Sequence, residues 1–168
     1  MARPATKPCR LFLFDLDGTL IDSCSDITFS LNLALDRMHL PRLDASRAAA
    51  FIGNGVQRLV ERSLEEVTGH PPGPGLTGEG VELFREEYAR HLLDRTRLLP
   101  GVKEGLDRLA WALFAVVSNK PEDFCRRILE GLGIGPRFRI ILGGDSVPHR
   151  KPDPEALVRA MEACGVPA

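Results

Sequence analysis

The chain has 168 residues, with 22 basic and 23 acidic side chains that give a formal net charge of -1, and 43% of its residues are hydrophobic. This length fits one domain or a small core with an insertion, and the composition is typical of a soluble globular protein. The charges form neither a basic stripe nor a long run of one sign, which argues against nucleic-acid and membrane partners. No apolar stretch is as long as a membrane span, and the N-terminus lacks an apolar signal core, so we expect a cytoplasmic protein.

The cysteines are scattered along the chain and form no metal-binding or redox pair. No Cys-x-x-Cys sequence occurs, and no histidine lies at zinc-ligand spacing from a cysteine. This pattern predicts four free thiols, at Cys9, Cys24, Cys125 and Cys164.

Two carboxylates follow the first apolar run of the chain. Residues 11–14 read Leu-Phe-Leu-Phe, which is too short for a helix and predicts a strand buried on both faces. Asp15 and Asp17 come directly after this strand, and Gly18 supplies a turn. Ligands of open α/β sheets bind beyond the carboxyl ends of the strands, so these two acids occupy a position typical of catalysis.

An Asp-x-Asp-Gly sequence has two other interpretations. It is common at a helix N-terminus, where one Asp caps the helix and the other is incidental. It also begins calcium-binding loops, but such a loop needs glycine at its sixth position, where this chain has Leu20, and a helix before it. The calcium loop is therefore disfavoured.

A run of helical patterns follows the acidic turn. Apolar residues at helical spacing predict a helix from Ser23 or Ser25 to Met38, a short helix at 44–51 and an amphipathic helix at 56–67. A loop rich in Pro and Gly at 69–78 precedes a fourth helix at 79–94. Residues 23–95 thus form a helical insertion.

The rest of the chain alternates between helices and short apolar strands. After a helix that begins near residue 101, we predict strands at 113–117 and 138–142, each followed by a helix. No Gly, Asn or Pro marks the turn before the strand at 113–117. The order predicts an α/β fold, a Rossmann-like three-layer core with a parallel sheet, built from residues 10–22 and 96–168. The helical cap, residues 23–95, is inserted after the first strand.

Side chains at the three predicted strand ends have the composition of a phosphate site. An Asp can attack phosphorus, a second Asp can transfer a proton, and Ser118 and Lys151 can hold phosphoryl oxygens. A dianionic phosphate approaches an ionised Asp only with its charge neutralised, and oxygen ligands favour Mg²⁺ for that purpose.

The same residues resemble the first three motifs of the haloacid dehalogenase superfamily of phosphatases. These motifs are Asp15-Leu-Asp17-Gly18-Thr19, Ser118 at the end of the second core strand, and Lys151 before a proline. Within the superfamily, the sequences around Gly53-Asn54-Gly55 and Ser118-Asn119-Lys120-Pro121 are similar to those of phosphoglycolate phosphatases, as are 143–146 and 150–154.

The resemblance implies roles for particular residues. Asp15 would be the nucleophile and a Mg²⁺ ligand, and Asp17 would be the acid/base and would bind the metal through its backbone carbonyl. Phosphate would be held by Ser118, Asn119, Lys151, Gly18 and Thr19. In the cap, Asn54 and Arg58 are candidates for contact with the substrate.

The expected function is Mg²⁺-dependent hydrolysis of a small phosphomonoester through an aspartyl-phosphate, with 2-phosphoglycolate as the first candidate. One alternative is a phosphatase for a sugar phosphate or pyrophosphate. The other is an inactive remnant that binds phosphate or a partner protein.

The resemblance also implies a fourth motif, an acidic turn after a fourth core strand, and the sequence ends before it. We therefore expect a core that is truncated at its C-terminus, with weak or no activity. The first strand would then be an apolar edge that permits self-association.

Overall fold

The computed structural model describes residues 10–167. The strands are β1 (Leu11–Phe14), β2 (Ile21–Asp22), β3 (Arg97–Leu98), β4 (Leu113–Val117) and β5 (Ile140–Leu142). The helices are α1 (Cys24–Arg37), α2 (Ala45–Ala49), α3 (Val56–Thr68), α4 (Pro74–Arg90), α5 (Val102–Arg108), α6 (Glu122–Gly131) and α7 (Glu155–Ala163).

The core is a three-stranded parallel sheet in the order β1-β4-β5. Phe14 is opposite Val116, and Val117 is opposite Leu142, so the three strands end at one edge of the sheet. This arrangement confirms the predicted α/β fold with parallel strands.

Helices cover both faces of the sheet. On one face, Phe12 and Phe14 join a hydrophobic cluster that includes Leu106 of α5 and Ile128 of α6. On the other face, Leu11 and Leu13 pack with small side chains of β4 and α7, among them Ala115, Ala156 and Ala160. The small residues let α7 lie close to the strands, which completes three layers.

Helices α1 to α4 form what we call the helical block. Its interior is apolar, with Leu31 and Leu35 of α1 and Phe84 and Tyr88 of α4 each at most 2% exposed. These side chains belong to the same hydrophobic cluster as the sheet face covered by α5 and α6. None of the helices within residues 10–167 is long and apolar enough to cross a membrane.

The loop predicted at 69–78 is wrong for its second half, because α4 already begins at Pro74. Proline suits the first turn of a helix, where its missing N–H needs no partner. Further along, a β-carbon at Gly80 would lie 2.8 Å from Cγ1 of Val60 in α3, so this glycine allows close helix packing. Two of the glycines that indicated a loop, Gly75 and Gly78, therefore lie within a helix.

Two strand predictions also need correction. The strand predicted at 138–142 begins at Ile140, after a 3₁₀ turn at Gly135–Arg137. All four residues of β1 are half-buried, whereas the sequence predicted a strand buried on both faces. The reason is that β1 is the outer strand of the described sheet.

The turn before β4 forms although it contains no Gly, Asn or Pro. The N–H of Ala112 donates to the carbonyl of Leu109 at 2.9 Å, and the N–H of Leu113 then donates to Arg10 at 2.9 Å. Trp111 is 61% exposed and its ring lies edge-on to Phe12, 6.1 Å between centroids. Backbone hydrogen bonds therefore set the start of β4.

Two very short strands, which the sequence did not predict, carry the chain between core and helical block. β2 leads into α1, β3 leads back, and the two are antiparallel with an Asp22–Arg97 ion pair of 2.9 Å. Beside them, Oδ2 of Asp26 accepts hydrogen bonds from the N–H groups of Arg95 and Thr96 and from the Thr96 hydroxyl, at 2.7–2.9 Å. Asp26 is 1% exposed, so a buried carboxylate fixes the two segments that connect the core with the helical block.

We expect Asp26→Ala to lower the free energy of unfolding by about 3 kcal/mol, because it leaves two backbone donors without their acceptor. Urea unfolding measures this change. Asp44→Ala is the matched control, since Asp44 precedes α2, is exposed and makes no side-chain cap hydrogen bond. Equal unfolding midpoints for the two variants would contradict the role given to Asp26.

Candidate active site

A small cavity lies between the strand ends and the helical block. Polar residues from the core form one wall, and largely apolar residues from the block form the wall opposite. The polar wall comprises Asp15, Asp17, Ser118, Asn119 and Lys120, and the apolar wall includes Ile27, Ile52, Val56, Leu59 and Phe84. The structure thus brings both predicted catalytic acids to one cavity.

Asp15 lies directly after β1, next to Lys151. Its Oδ1 accepts a hydrogen bond from the N–H of Leu16 at 2.7 Å and lies 2.9 Å from Nζ of Lys151. The same ammonium donates to the carbonyl of Val117, the last residue of β4, at 2.8 Å. Lys151 therefore joins the ends of β1 and β4, and 45% of the Asp15 side chain remains exposed.

Asp17 is held on one oxygen by two donors. Oδ1 accepts from the Ser23 hydroxyl at 2.5 Å and from the Lys120 ammonium at 3.0 Å. Ser23 precedes α1 but makes no side-chain cap hydrogen bond to it. Its hydroxyl instead orients Asp17.

Lys120 is a buried cation, 7% exposed. Besides Asp17, its ammonium donates to the Tyr88 hydroxyl at 2.6 Å. Burial opposes the charge, but the Asp17 carboxylate and the Tyr88 phenol outweigh it and hold the pKa of Lys120 above its ordinary value of 10.5. Burial also raises the pKa of Tyr88, so its neutral hydroxyl accepts the bond from Lys120.

Ser118 and Asn119 lie at the end of β4. Ser118 is 4% exposed, and its hydroxyl accepts from the N–H of Lys120 at 3.2 Å. The side-chain amide of Asn119 donates to the carbonyl of Gly53 at 3.0 Å and to that of Lys151 at 3.3 Å. Asn119 thereby connects the helical block with two loops of the core.

The backbone of the acidic turn is already hydrogen-bonded. Gly18 has φ of 75°, and its N–H donates to Ile21 at 2.9 Å, while the N–H of Thr19 donates to Leu16 at 3.2 Å. Neither residue lines the cavity that Asp15 and Asp17 share. Their predicted role in phosphate binding stays a prediction.

The two substrate candidates of the helical block lie away from the cavity. Gly53 and Gly55 line it, but Asn54 between them is exposed and does not. Arg58 pairs with Glu61 at 2.9 Å, is 63% exposed and lines a separate surface groove between α3 and α4. The structure therefore does not bring Asn54 or Arg58 together with Asp15.

The loop after β5 packs closely under the site. A β-carbon at Gly144 would lie 2.5 Å from the carbonyl oxygen of Asn119, so this position requires glycine. The next residue, Asp145, accepts a hydrogen bond from the N–H of Glu122 at 2.8 Å, at the start of α6. Asp145 thus anchors a helix at the end of β5.

The donors at the site fit Mg²⁺ in chemical type. Asp15 and Asp17 supply carboxylate oxygens, and Mg²⁺ is commonly bound by one or two carboxylates together with water and substrate phosphate. Among residues 10–167, no three His, Cys, Asp or Glu side chains are grouped closely enough to hold a metal by themselves.

Comparison with known proteins identifies the family of the chain. The family model for haloacid dehalogenase-like hydrolases matches residues 12–168. The chain belongs to this family. The matched range includes all three strands of the parallel sheet except Leu11.

Similar proteins carry one recurrent name. A phosphoglycolate phosphatase of Pseudomonas savastanoi pv. phaseolicola is 38% identical over 167 residues, which are 98% of this chain and 61% of that protein. One of Thiobacillus denitrificans is 35% identical over 161 residues, covering 95% and 71%. The crystal structure of a predicted phosphoglycolate phosphatase from Haemophilus somnus 129PT superimposes with a TM-score of 0.84 at 33% identity, covering 94% and 72%. The chain thus spans about three fifths of the length of the Pseudomonas relative.

Sequence reasoning missed three residues of this haloacid dehalogenase-like site. Lys120 appeared only as part of a motif, because lysines in loops are usually solvated. Tyr88 and Ser23 were predicted only as parts of helices. The available signal was a lysine placed three residues after a strand that ends at the predicted site.

Three cysteines of the described chain, Cys24, Cys125 and Cys164, are free thiols as predicted, and Cys9 lies outside the described residues. Burial raises the pKa of the Cys125 thiol to about 12. Because the thiolate is the reactive form, roughly one Cys125 in ten thousand is ionised at pH 8.

We therefore expect iodoacetamide at pH 8 to leave Cys125 unmodified in the folded protein and to label the half-buried Cys24 faster. Mass spectrometry of the digested protein measures both sites. Labelling in urea is the control, because unfolding removes the burial that raises the pKa. Equal rates at the two cysteines before unfolding would contradict this environment for Cys125.

Proposed function

We propose that this chain hydrolyses a small phosphomonoester, with 2-phosphoglycolate as the first candidate substrate. The observation that carries the proposal is the pair of carboxylates in one cavity, Asp15 beside Lys151 and Asp17 beside Lys120. The names of the relatives support the choice of substrate. The helical block, residues 23–95, acts as a cap over the core built from residues 10–22 and 96–168.

In the first step, a carboxylate oxygen of Asp15 attacks phosphorus, and the bond from phosphorus to the leaving oxygen breaks. Asp17, in its protonated form, gives a proton to that oxygen, so the alcohol leaves neutral. The half-exposed Asp15 side chain supports its role as nucleophile, because one end of the carboxylate is accessible from the cavity.

In the second step, water attacks the aspartyl-phosphate. Asp17, now ionised, takes a proton from the water, and the acyl phosphate bond breaks to release phosphate and restore Asp15. Ser118 and Lys151 hold phosphoryl oxygens during both steps, and Asn119 does so once its amide releases the carbonyl of Gly53 or of Lys151. Lys151 is suited to this because it already neutralises Asp15 at 2.9 Å.

Asp15 and the backbone carbonyl of Asp17 would hold Mg²⁺. The ion supplies charge neutralisation for the phosphate dianion as it approaches Asp15. Gly18 and Thr19 remain proposed phosphate contacts, which requires the turn to release the hydrogen bonds that its N–H groups now make.

We expect Asp15→Asn to lower the rate of 2-phosphoglycolate hydrolysis by more than about 1000-fold, because the amide is a poor nucleophile. Release of inorganic phosphate measures the rate. Asp153→Asn is the matched control, since Asp153 is exposed and lies outside the cavity. Retention of activity in Asp15→Asn would contradict the proposal, and preference for glucose phosphate or pyrophosphate over 2-phosphoglycolate would correct the substrate.

We expect removal of divalent cations with EDTA to abolish hydrolysis and added Mg²⁺ to restore it, because the phosphate dianion is otherwise repelled by Asp15. Phosphate release is measured before and after the addition. Circular dichroism of the EDTA-treated protein is the control for folding. Full activity without divalent cations would exclude the metal-assisted form of the reaction.

A further inference from the structure

A buried chain of polar groups crosses from the helical block to the acid/base carboxylate. The Tyr88 hydroxyl, on α4, lies 2.6 Å from the Lys120 ammonium, which lies 3.0 Å from Oδ1 of Asp17. Tyr88 is 1% exposed and Lys120 is 7% exposed. The proposed chemical roles of the site assign nothing to Tyr88 or Lys120.

The position of the Lys120 ammonium depends on both partners. A buried ammonium is costly unless it is paired and hydrogen-bonded, and within residues 10–167 its hydrogen bond to Tyr88 and its ion pair with Asp17 serve that purpose. Ser23 and Lys120 both bind Oδ1 of Asp17, whereas Oδ2 has no hydrogen bond among the described residues. The two donors therefore fix the carboxylate by one oxygen and leave the other for a proton.

Aromatic packing fixes the Tyr88 ring. It stacks on Phe84 of the same helix, with 5.4 Å between centroids, and meets Phe124 of α6 edge-on at 5.3 Å. The hydroxyl thus has one direction available, toward Lys120. Because Phe124 belongs to the core, this packing exists only while α4 lies against α6.

We propose that Lys120 and Tyr88 are positioning residues that hold the Asp17 carboxylate for proton transfer. This inference rests on the proposed function and adds two residues to its site. Without the Tyr88 hydroxyl, Lys120 keeps its charge but loses the hydrogen-bond partner that sets its position.

The test uses Tyr88→Phe, which keeps the ring and removes the hydroxyl. We expect kcat to fall about 10-fold with KM changed less than about twofold, as for one hydrogen bond that acts on the reacting group. Lys120→Met should lower kcat about 100-fold, in the range of lost acid/base catalysis. In an Asp17→Asn background, where no acid remains to be aligned, Tyr88→Phe should have no further effect.

Arg127→Gln is the matched control. Arg127 of α6 donates to the carbonyl of Ala89 in α4 at 2.7 Å, so it also joins core and block but does not touch the polar chain. We expect unchanged kcat in this variant. An unchanged kcat in Tyr88→Phe, or an equal loss in the wild-type and Asp17→Asn backgrounds, would overturn the positioning role.

A second readout is independent of catalysis. In protein labelled with ¹⁵N-lysine, the Lys120 ammonium signal is assigned by its absence in Lys120→Met. We expect it to shift in both Tyr88→Phe and Asp17→Asn and to stay in place in Arg127→Gln. If the wild-type chain releases no phosphate, the proposed function fails, but the spectrum still tests the contacts of Lys120. A Lys120 signal that shifts in neither Tyr88→Phe nor Asp17→Asn overturns the positioning role.

Discussion

The site depends on the parallel register of β1, β4 and β5. Phe14 pairs with Val116, so Asp15 emerges beside the end of β4, where Ser118 follows one residue further along. Because side chains alternate between the faces of a strand, a shift of β1 by one residue would move its aromatic side chains to the opposite face. The register therefore decides whether the acids and the β4 loop meet.

The side chains packed on the two faces of the sheet differ in size, and this difference fixes the register. Phe12 and Phe14 pack with aromatic rings on one face, where Phe14 and Phe114 lie 5.7 Å apart. Leu11 and Leu13 lie on the face where alanines of β4 and α7 leave little room. Aromatic rings would not fit under α7, so side-chain volume sets the position of the Asp15 and Asp17 carboxylates.

The sequence predicted helices with a long apolar periodicity and functional residues that lie close together in the chain. Asp15 and Asp17 were recognisable because they end an apolar run, and α3 because its apolar residues keep helical spacing. The linkers β2 and β3 were missed since two-residue strands show no periodicity. Lys120 and Tyr88 were missed for another reason. Their contact joins the core to the helical block, and the local sequence around either residue does not predict it.

Two buried polar contacts hold the helical block in different ways. Asp26 accepts hydrogen bonds from the backbone of the linker that returns to the core, beside β2 and β3. It therefore fixes the point where the block joins the core. Tyr88 and Lys120 meet across the cavity, where the contact joins two side chains. The first contact therefore holds the attachment of the block to the core, and the second holds α4 beside the Asp17 carboxylate.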